Sequence, residues 1–224
     1  MSKISNISKY LAITILIGGK STRFGNDKGL FELNGKPLIS YQLETLSQGN
    51  FDIFLIAHST KQVQNYINKI EIDKILAFII DEFNILSDST LRTPLLGLYS
   101  GFKELNKLGY EKSFVIPCDL PLIQFNVVKL MIEQSYNFDC CIPQWKNGLL
   151  EPLFTIYPIK ETITSAEENF NKKDYKLVHL LKNKWKINYI SIEKSIMPLD
   201  SDLISFINVN EQSDLEKIKK KNNF

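Results

Sequence analysis

A run of aliphatic and β-branched residues at 13–17 is followed at once by two glycines, Gly18 and Gly19. A run that is apolar on both faces is typical of a central parallel strand covered by helices on each side. The glycines end the strand, and residues 37–46 then place apolar side chains at helical spacing. This opening pattern favours a layered fold built from parallel strand–helix units.

The same alternation continues along the chain. Further strands are predicted at residues 53–57, 77–80, 113–117 and 187–192. Helices are predicted at 59–68, 93–105 and 126–134, with two more in the segment that begins at 159 and a C-terminal helix from about 211. Ser59 with Gln62 predicts a capping box at the start of the second helix. The segments 139–143 and 152–157 flank a turn and are predicted to pair antiparallel. We therefore expect a single-domain, Rossmann-like α/β fold with a mostly parallel sheet and a small antiparallel part.

Composition excludes several classes of protein. The chain has 224 residues, 44% of them hydrophobic, which is ample material for a core and argues against a disordered chain. A formal net charge of +2 argues against a sequence-independent nucleic-acid binder. The longest apolar run, residues 10–17, is far shorter than the ~20 residues of a membrane span, and it lacks the cleavage site of a signal peptide. We expect neither a nucleic acid nor a membrane as partner.

Three cysteines, Cys118, Cys140 and Cys141, show no metal-binding spacing. We expect them to be buried thiols in a reducing cytoplasm. The two histidines, His58 and His179, are expected to be structural or on the surface.

The glycine loop is the strongest candidate for a phosphate or base site. Gly18 and Gly19 let the backbone approach a ligand, Arg23 and Lys28 add positive charge, and open α/β sheets bind ligands at the carboxyl ends of their strands. The Walker A spacing fails because Thr14 stands where its first glycine belongs, and contiguous glycines do not make the dinucleotide fingerprint. The alternative is a tight turn whose charges face water.

Two aspartates end predicted strands at the same edge of the sheet. Asp119 follows strand 113–117, where a carboxylate suits Mg²⁺, which shares its ligands between one or two carboxylates and substrate phosphates. Asp81 follows strand 77–80. The alternatives are a turn cap for Asp119 and a loop-entry residue for Asp81.

The loop sequence LIGGKSTRFGNDK at 16–28 resembles the signature L-x-G-G-x-S-x-R-[MF]-G-x-D-K of nucleotidyltransferases of the molybdenum cofactor guanylyltransferase type. Further blocks of that family follow in the same order, namely NGKPL at 34–38, TPLLG at 93–97, PCDLP at 117–121, EPLF at 151–154 and NVN at 208–210. The chain departs from the family at Ile17, at Thr93 and after the second strand, where an asparagine is often found. The last departure bears on the choice of base.

The resemblance implies a site and a reaction. A phosphate of the acceptor would attack the α-phosphorus of a nucleoside triphosphate, and pyrophosphate would leave. Catalysis would rest on Lys28, Arg23 and Asp119, with Asp119 holding Mg²⁺. Asn208 and Asn210 would face the acceptor, although Asn210 also suits a helix N-cap. The residues implied to contact the nucleotide are Leu16, Ile17, Gly18, Gly19, Lys28, Asp81 and Asp119.

The resemblance also implies substrates and partners. Residues 1–224 would form one nucleotidyltransferase domain that transfers GMP from GTP to molybdopterin in the cytoplasm, in transient contact with molybdoenzymes or other cofactor-synthesis proteins. One alternative keeps the fold but uses CTP, or another nucleoside triphosphate, with a molybdopterin or a sugar or polyol phosphate. Another is a nucleotide-binding adaptor without catalysis, although such a protein has no physical need for both Lys28 and Asp119.

Overall fold

The computed structural model describes residues 9–18, 27–82, 92–209 and Asp214. Seven of the described strands form one sheet in the order β5-β4-β1-β6-β8-β7-β9, and β2 pairs with β3 in a small separate hairpin. The strands are β1 Leu11–Leu16, β2 Glu32–Leu33, β3 Lys36–Pro37, β4 Ile53–Ala57, β5 Ala77–Ile80, β6 Lys112–Pro117, β7 Cys140–Gln144, β8 Thr155–Pro158 and β9 Ile187–Ser191.

The sheet is mostly parallel, as predicted. Strand β1 pairs in parallel with both β4 and β6, β4 with β5, and β7 with β9. Strand β8 alone runs antiparallel, between β6 and β7. The predicted antiparallel pairing of the segments that became β7 and β8 is therefore confirmed. Strand β8 begins later than predicted because the chain turns first, with the Phe154 N–H donating to the Glu151 carbonyl at 3.0 Å.

Helices cover both faces of the sheet. The described α-helices are α1 Leu38–Leu46, α2 Thr60–Ile67, α3 Pro94–Leu108, α4 Phe125–Ser135 and α5 Ile159–Asn171. One apolar core joins β1 residues such as Ile13 to α1, α2 and α4. The other joins Ala12 and Leu16 to α3 and α5. The alternating side chains of β1 thus divide between two cores, which explains why its sequence is apolar except at Thr14, whose hydroxyl is hydrogen-bonded to that of Ser113.

The topology creates a crevice beside the end of β1. From β1 the chain passes to β4 and β5 on one side, and only later to β6 on the other side. Connections that leave on opposite sides open a gap at the carboxyl ends of adjacent strands, where α/β proteins bind ligands. Residues that follow β1 and β6 flank this gap.

The segment 159–209 departs from the sequence pattern after α5. Only a short 3₁₀ turn, Leu177–Leu180, stands where a second helix was expected. The predicted C-terminal helix lies mostly outside the described residues. Among those described, no helix is both long and apolar enough to cross a lipid bilayer.

Candidate functional site

Lys28 and Asp119 meet at the crevice between β1 and β6. Lys28 begins a 3₁₀ turn, Lys28–Leu30, and Asp119 lies two residues beyond the end of β6. The Lys28 Nζ is 3.5 Å from the Asp119 Oδ2, and their side chains are 30% and 20% exposed. This ion pair is open enough for a ligand to reach both charges.

Two adjoining cavities lie at this crevice, and the Lys28–Asp119 pair lines one of them. A cavity of about 190 Å³ is lined by Lys28, Asp119 and the residues Leu16, Ile17, Gly18, Asp27, Pro94, Pro117, Cys118 and Leu153. A second cavity of about 250 Å³ is lined by Asp81, Arg92 and the residues Leu16, Gly18, Ile56, Thr93, Pro94 and Gly97. Each is smaller than the ~300 Å³ at which small-molecule pockets begin, but they share three lining residues and so adjoin. Together they offer one elongated site.

The Asp119 carboxyl group is poorly satisfied. Burial raises its pKa, and the nearby Lys28 ammonium offsets part of that rise. Within the described part of the chain, its Oδ1 is buried and has no hydrogen-bond partner. A buried carboxylate with an unmet oxygen is stabilised by a cation.

The side chains at this site suit a metal ion that takes its remaining ligands from the substrate. No group of three or more His, Cys, Asp or Glu side chains converges within residues 9–18, 27–82 and 92–209. A closed protein cage is therefore absent from those ranges. Mg²⁺ needs no such cage, since one or two carboxylates with phosphates and waters are its usual ligands. Asp119 fits that mode of binding.

Asp81 occupies the second cavity. Its Oδ2 lies 3.8 Å from the Cβ position of Gly18 and its Oδ1 lies 3.5 Å from that of Gly97, so the carboxyl group sits between two residues without side chains. Burial raises the pKa of Asp81 to about 7, although the Arg92 charge lowers it. Sequence reasoning gave no role to Arg92, the one arginine among the described residues. The neighbouring TPLLG block was the signal that could have drawn attention to it.

The raised pKa of Asp81 predicts a pH-dependent stability. Between its ordinary value of 3.8 and about 7 the folded protein keeps a proton that the unfolded chain has lost, so stability falls as pH rises through this window. Asp81→Asn should remove that fall. After allowing for partial exposure, we expect it to increase the unfolding free energy at pH 8 by on the order of 2 kcal/mol. Urea unfolding from pH 4 to 8 measures this.

Asp73→Asn provides the matched control, because Asp73 is exposed. Its profile should follow that of the wild type. An Asp81→Asn protein that loses stability between pH 4 and 7 as steeply as the wild type would contradict the assignment.

Gln42 holds the loop that carries Asp119. This buried amide donates from Nε2 to the carbonyl of Pro117 at 2.7 Å and to that of Leu120 at 2.8 Å. The Val209 N–H donates to the Asp119 carbonyl at 2.9 Å. Sequence reasoning missed Gln42, although a polar residue on the apolar face of the predicted helix 37–46 was a usable signal.

The structure brings most of the predicted site residues together. Leu16, Ile17, Gly18, Lys28 and Asp119 line one cavity, and Asp81 lines the next. Asn208 is exposed and precedes Val209, which places it beside the Asp119 loop. The remaining predicted site residues, Gly19, Arg23 and Asn210, lie outside the described residues.

The backbone N–H of Gly18 is not the group that this glycine offers to a ligand. Its N–H donates to the Ile56 carbonyl at 3.1 Å, so that donor is already used within the sheet. What Gly18 offers a ligand is a backbone without a side chain, lining both cavities.

The cysteines are buried as predicted, and His179 lies on the surface. All three cysteines are buried and unpaired by disulfides. Burial, with the Asp119 charge as a smaller cause, raises the pKa of the Cys118 thiol to about 12, which makes it a poor nucleophile. His179 contacts Asp174 on the surface.

The known proteins that this chain resembles in sequence belong to one family. The family described as "MobA-like NTP transferase domain" matches residues 13–186. A probable molybdenum cofactor guanylyltransferase of Pyrococcus horikoshii is 34% identical over 214 residues, covering 93% of this chain and 98% of that protein. One from Thermococcus sibiricus is 30% identical, covering 92% and 95%.

A solved structure shares the fold. The molybdopterin-guanine dinucleotide biosynthesis protein A of Archaeoglobus fulgidus superposes with a TM-score of 0.72 at 23% identity. The alignment covers 93% of this chain and 97% of that chain.

Proposed function

Because this chain belongs to the MobA-like NTP transferase family and is a nucleotidyltransferase, we propose that it transfers GMP from GTP to molybdopterin with release of pyrophosphate. The observation that carries this proposal is the meeting of Lys28 and Asp119 beside Gly18, at the crevice of the sheet. The guanylyltransferase names of the relatives supply the choice of GTP and molybdopterin. Residues 1–224 are proposed to act as one domain in the cytoplasm, where thiols such as those of the buried cysteines stay reduced.

The difference between the two cavities supports one orientation for the nucleotide. The cavity with Lys28 and Asp119 holds the charges that phosphates and a metal require. The cavity with Asp81 is walled by Leu16, Ile56 and Gly97, which suits a flat base. We therefore place the triphosphate over Lys28 and the base toward Asp81. In its ionised form, the Asp81 carboxylate would then accept both N–H donors of the guanine edge, whereas cytosine offers only its amino group.

The chain's own groups act mainly by binding and orientation. The acceptor phosphate forms a bond to the α-phosphorus, the bond to the β-phosphate oxygen breaks, and the electron pair leaves with pyrophosphate. Lys28 offsets the charge that builds on the phosphates. We assign Asn208, which is exposed beside the Asp119 loop, to the acceptor. No side chain needs to form a covalent intermediate, since phosphoryl-group transfers of this kind depend on positioning and charge.

The family generally uses a divalent metal, and we assign Mg²⁺ to Asp119. Bound there, Mg²⁺ would withdraw charge from the phosphate oxygens and fix their orientation. Asp119 is held for this task by the Gln42 and Val209 hydrogen bonds to its loop.

The test is a transfer assay with matched nucleotides. The purified protein, Mg²⁺ and molybdopterin are supplied with GTP or with CTP, and pyrophosphate release is followed together with the nucleotide-linked product. We expect turnover with GTP and little with CTP. In thermal unfolding, GTP at about 100 times its Kd should add about 2.7 kcal/mol of stability.

The Asp81→Asn variant serves as the internal control for the base. The asparagine side chain still lines the cavity, but it has no charge and only one of its two terminal atoms accepts hydrogen bonds. The preference for GTP over CTP should therefore shrink. Turnover with CTP in the wild type would favour the alternative cytidylyltransferase. GTP binding without turnover, with molybdopterin and with sugar or polyol phosphates as acceptors, would instead favour the adaptor.

A further inference from the structure

Gln62 joins the two ends of the segment that carries the family signature. Its side chain is buried, and its Nε2 donates to the Ile17 carbonyl at 2.9 Å and to the Asp27 Oδ1 at 2.7 Å. Its Oε1 accepts from the His58 N–H at 2.9 Å. Ile17 precedes the signature glycines and Asp27 directly precedes Lys28. One amide therefore fixes both flanks of residues 18–26 to the start of α2.

Tyr66 packs against Gly29, the residue that follows Lys28. It lies one turn after Gln62 on the same buried face of α2. A Cβ at Gly29 would stand 2.5 Å from the Tyr66 hydroxyl and 3.3 Å from the Cys118 Cβ, so only glycine permits this approach. Lys28 thus sits between Asp27, which is bonded to Gln62, and Gly29, which is packed against Tyr66. The main chain of Lys28 is fixed from both neighbours.

The bonds of Gln62 are not needed to begin the helix. Ser59 already caps α2, since its hydroxyl accepts from the Gln62 N–H at 3.2 Å. The Gln62 side chain does not complete the expected capping box with the Ser59 N–H but reaches His58, Ile17 and Asp27. A buried amide with three specific partners accepts only one orientation, which suits it to set the position of a neighbouring group.

We propose that Gln62 is a positioning residue that sets Lys28 relative to Asp119, and that it thereby raises the affinity for the triphosphate. The inference rests on the proposed role of Lys28. Gln62 does not itself line either cavity, so its effect passes through its hydrogen bonds to Asp27 and to the Ile17 carbonyl. Misplacement of a charged group by about 1 Å is enough to weaken binding and catalysis strongly.

The experiment measures nucleotide affinity in Gln62→Met, which keeps the volume but loses all three hydrogen bonds. By calorimetry with Mg²⁺ and either GTP or CTP, whichever the wild type binds more tightly, we expect the Kd to rise about tenfold. In turnover, the KM for the nucleotide should rise while that for the acceptor is unchanged. In a Lys28→Met background the same substitution should change the Kd by less than about twofold, since the two residues act as a unit.

Two controls separate positioning from stability. Gln64 lies on the exposed face of α2, so Gln64→Met should bind as the wild type does. Lys112 donates to the carbonyls of Ser135 and Phe138 at the opposite end of β6. Lys112→Met therefore removes bonds of the same kind far from the site, and should lower stability without changing the Kd.

The outcomes are distinct. A Gln62→Met protein with wild-type affinity beside a defective Lys28→Met protein would overturn this inference alone. An equal loss with and without Lys28 would also overturn it. Wild-type affinity in Lys28→Met would overturn the role of Lys28 as well. If Gln62→Met does not fold, Gln62→Glu keeps the acceptor for His58 but sets a carboxylate against the Ile17 carbonyl and Asp27, and the same loss is expected.

Discussion

Asp119→Ala is expected to lower the kcat for pyrophosphate release by about 10²–10³-fold while leaving the fold intact. The carboxylate is the proposed anchor for Mg²⁺, and the described residues contain no group of three or more His, Cys, Asp or Glu side chains that would bind the ion without it. Its pKa is raised by burial, so the ionised group lowers stability at neutral pH rather than increasing it. We therefore expect the variant to unfold at the same temperature as the wild type or higher, although kcat collapses.

Asp119→Asn separates the effect of charge from that of shape, because it keeps the shape of the side chain and removes its negative charge. It should lose activity to a similar degree, and raising the Mg²⁺ concentration should restore little of it. Turnover of either variant at the wild-type rate would reject the enzymatic mechanism proposed for this site.

Lys28→Met is expected to weaken nucleotide binding by about 10–100-fold, because a charge that faces the phosphates is lost. It should also shift the pH profile. Lys28 lowers the pKa of Asp119, so without Lys28 that pKa rises further and the carboxylate stays protonated to a higher pH. The acidic limb of the kcat/KM profile should therefore move to higher pH in the variant. Steady-state kinetics between pH 5 and 9 measure both effects.

Lys61→Met is the matched control, because Lys61 is exposed on α2. It removes the same charge from the protein and should leave both affinity and pH profile as they are. If Lys61→Met shifted the acidic limb as far as Lys28→Met, the effect would reflect net charge and not a contact with Asp119.

The order of elements was predictable because local patterns determine it. Strand 53–57 and strand 77–80 match their predicted bounds, since apolar runs are followed by the polar residues His58 and Asp81 there. Asp81 and Asp119 were placed at one edge of the sheet by a general property of parallel strands. The pairing of Lys28 with Asp119 follows from the same topology, because their loops flank the switch between β1 and β6.

What the sequence could not supply are contacts between distant segments. Gln62 is adequately explained as a capping residue until the fold brings Ile17 and Asp27 to its side chain. Gln42 looks like an interruption of an apolar helix face until the Asp119 loop is seen against it. Likewise, the raised pKa of Asp81 arises from burial by β1 and α3 residues that no local pattern associates with it.

The hydrogen bond from Val209 to the Asp119 carbonyl also bears on how the protein is synthesised. The loop that carries Asp119 is closed by Val209, a residue that follows β9 in the sequence. During translation the ribosome must make and release Val209, well after Asp119 and the whole of the central sheet, before this bond can form. A nascent chain therefore cannot complete the site early, and we expect nucleotides to be engaged only after synthesis has passed Val209.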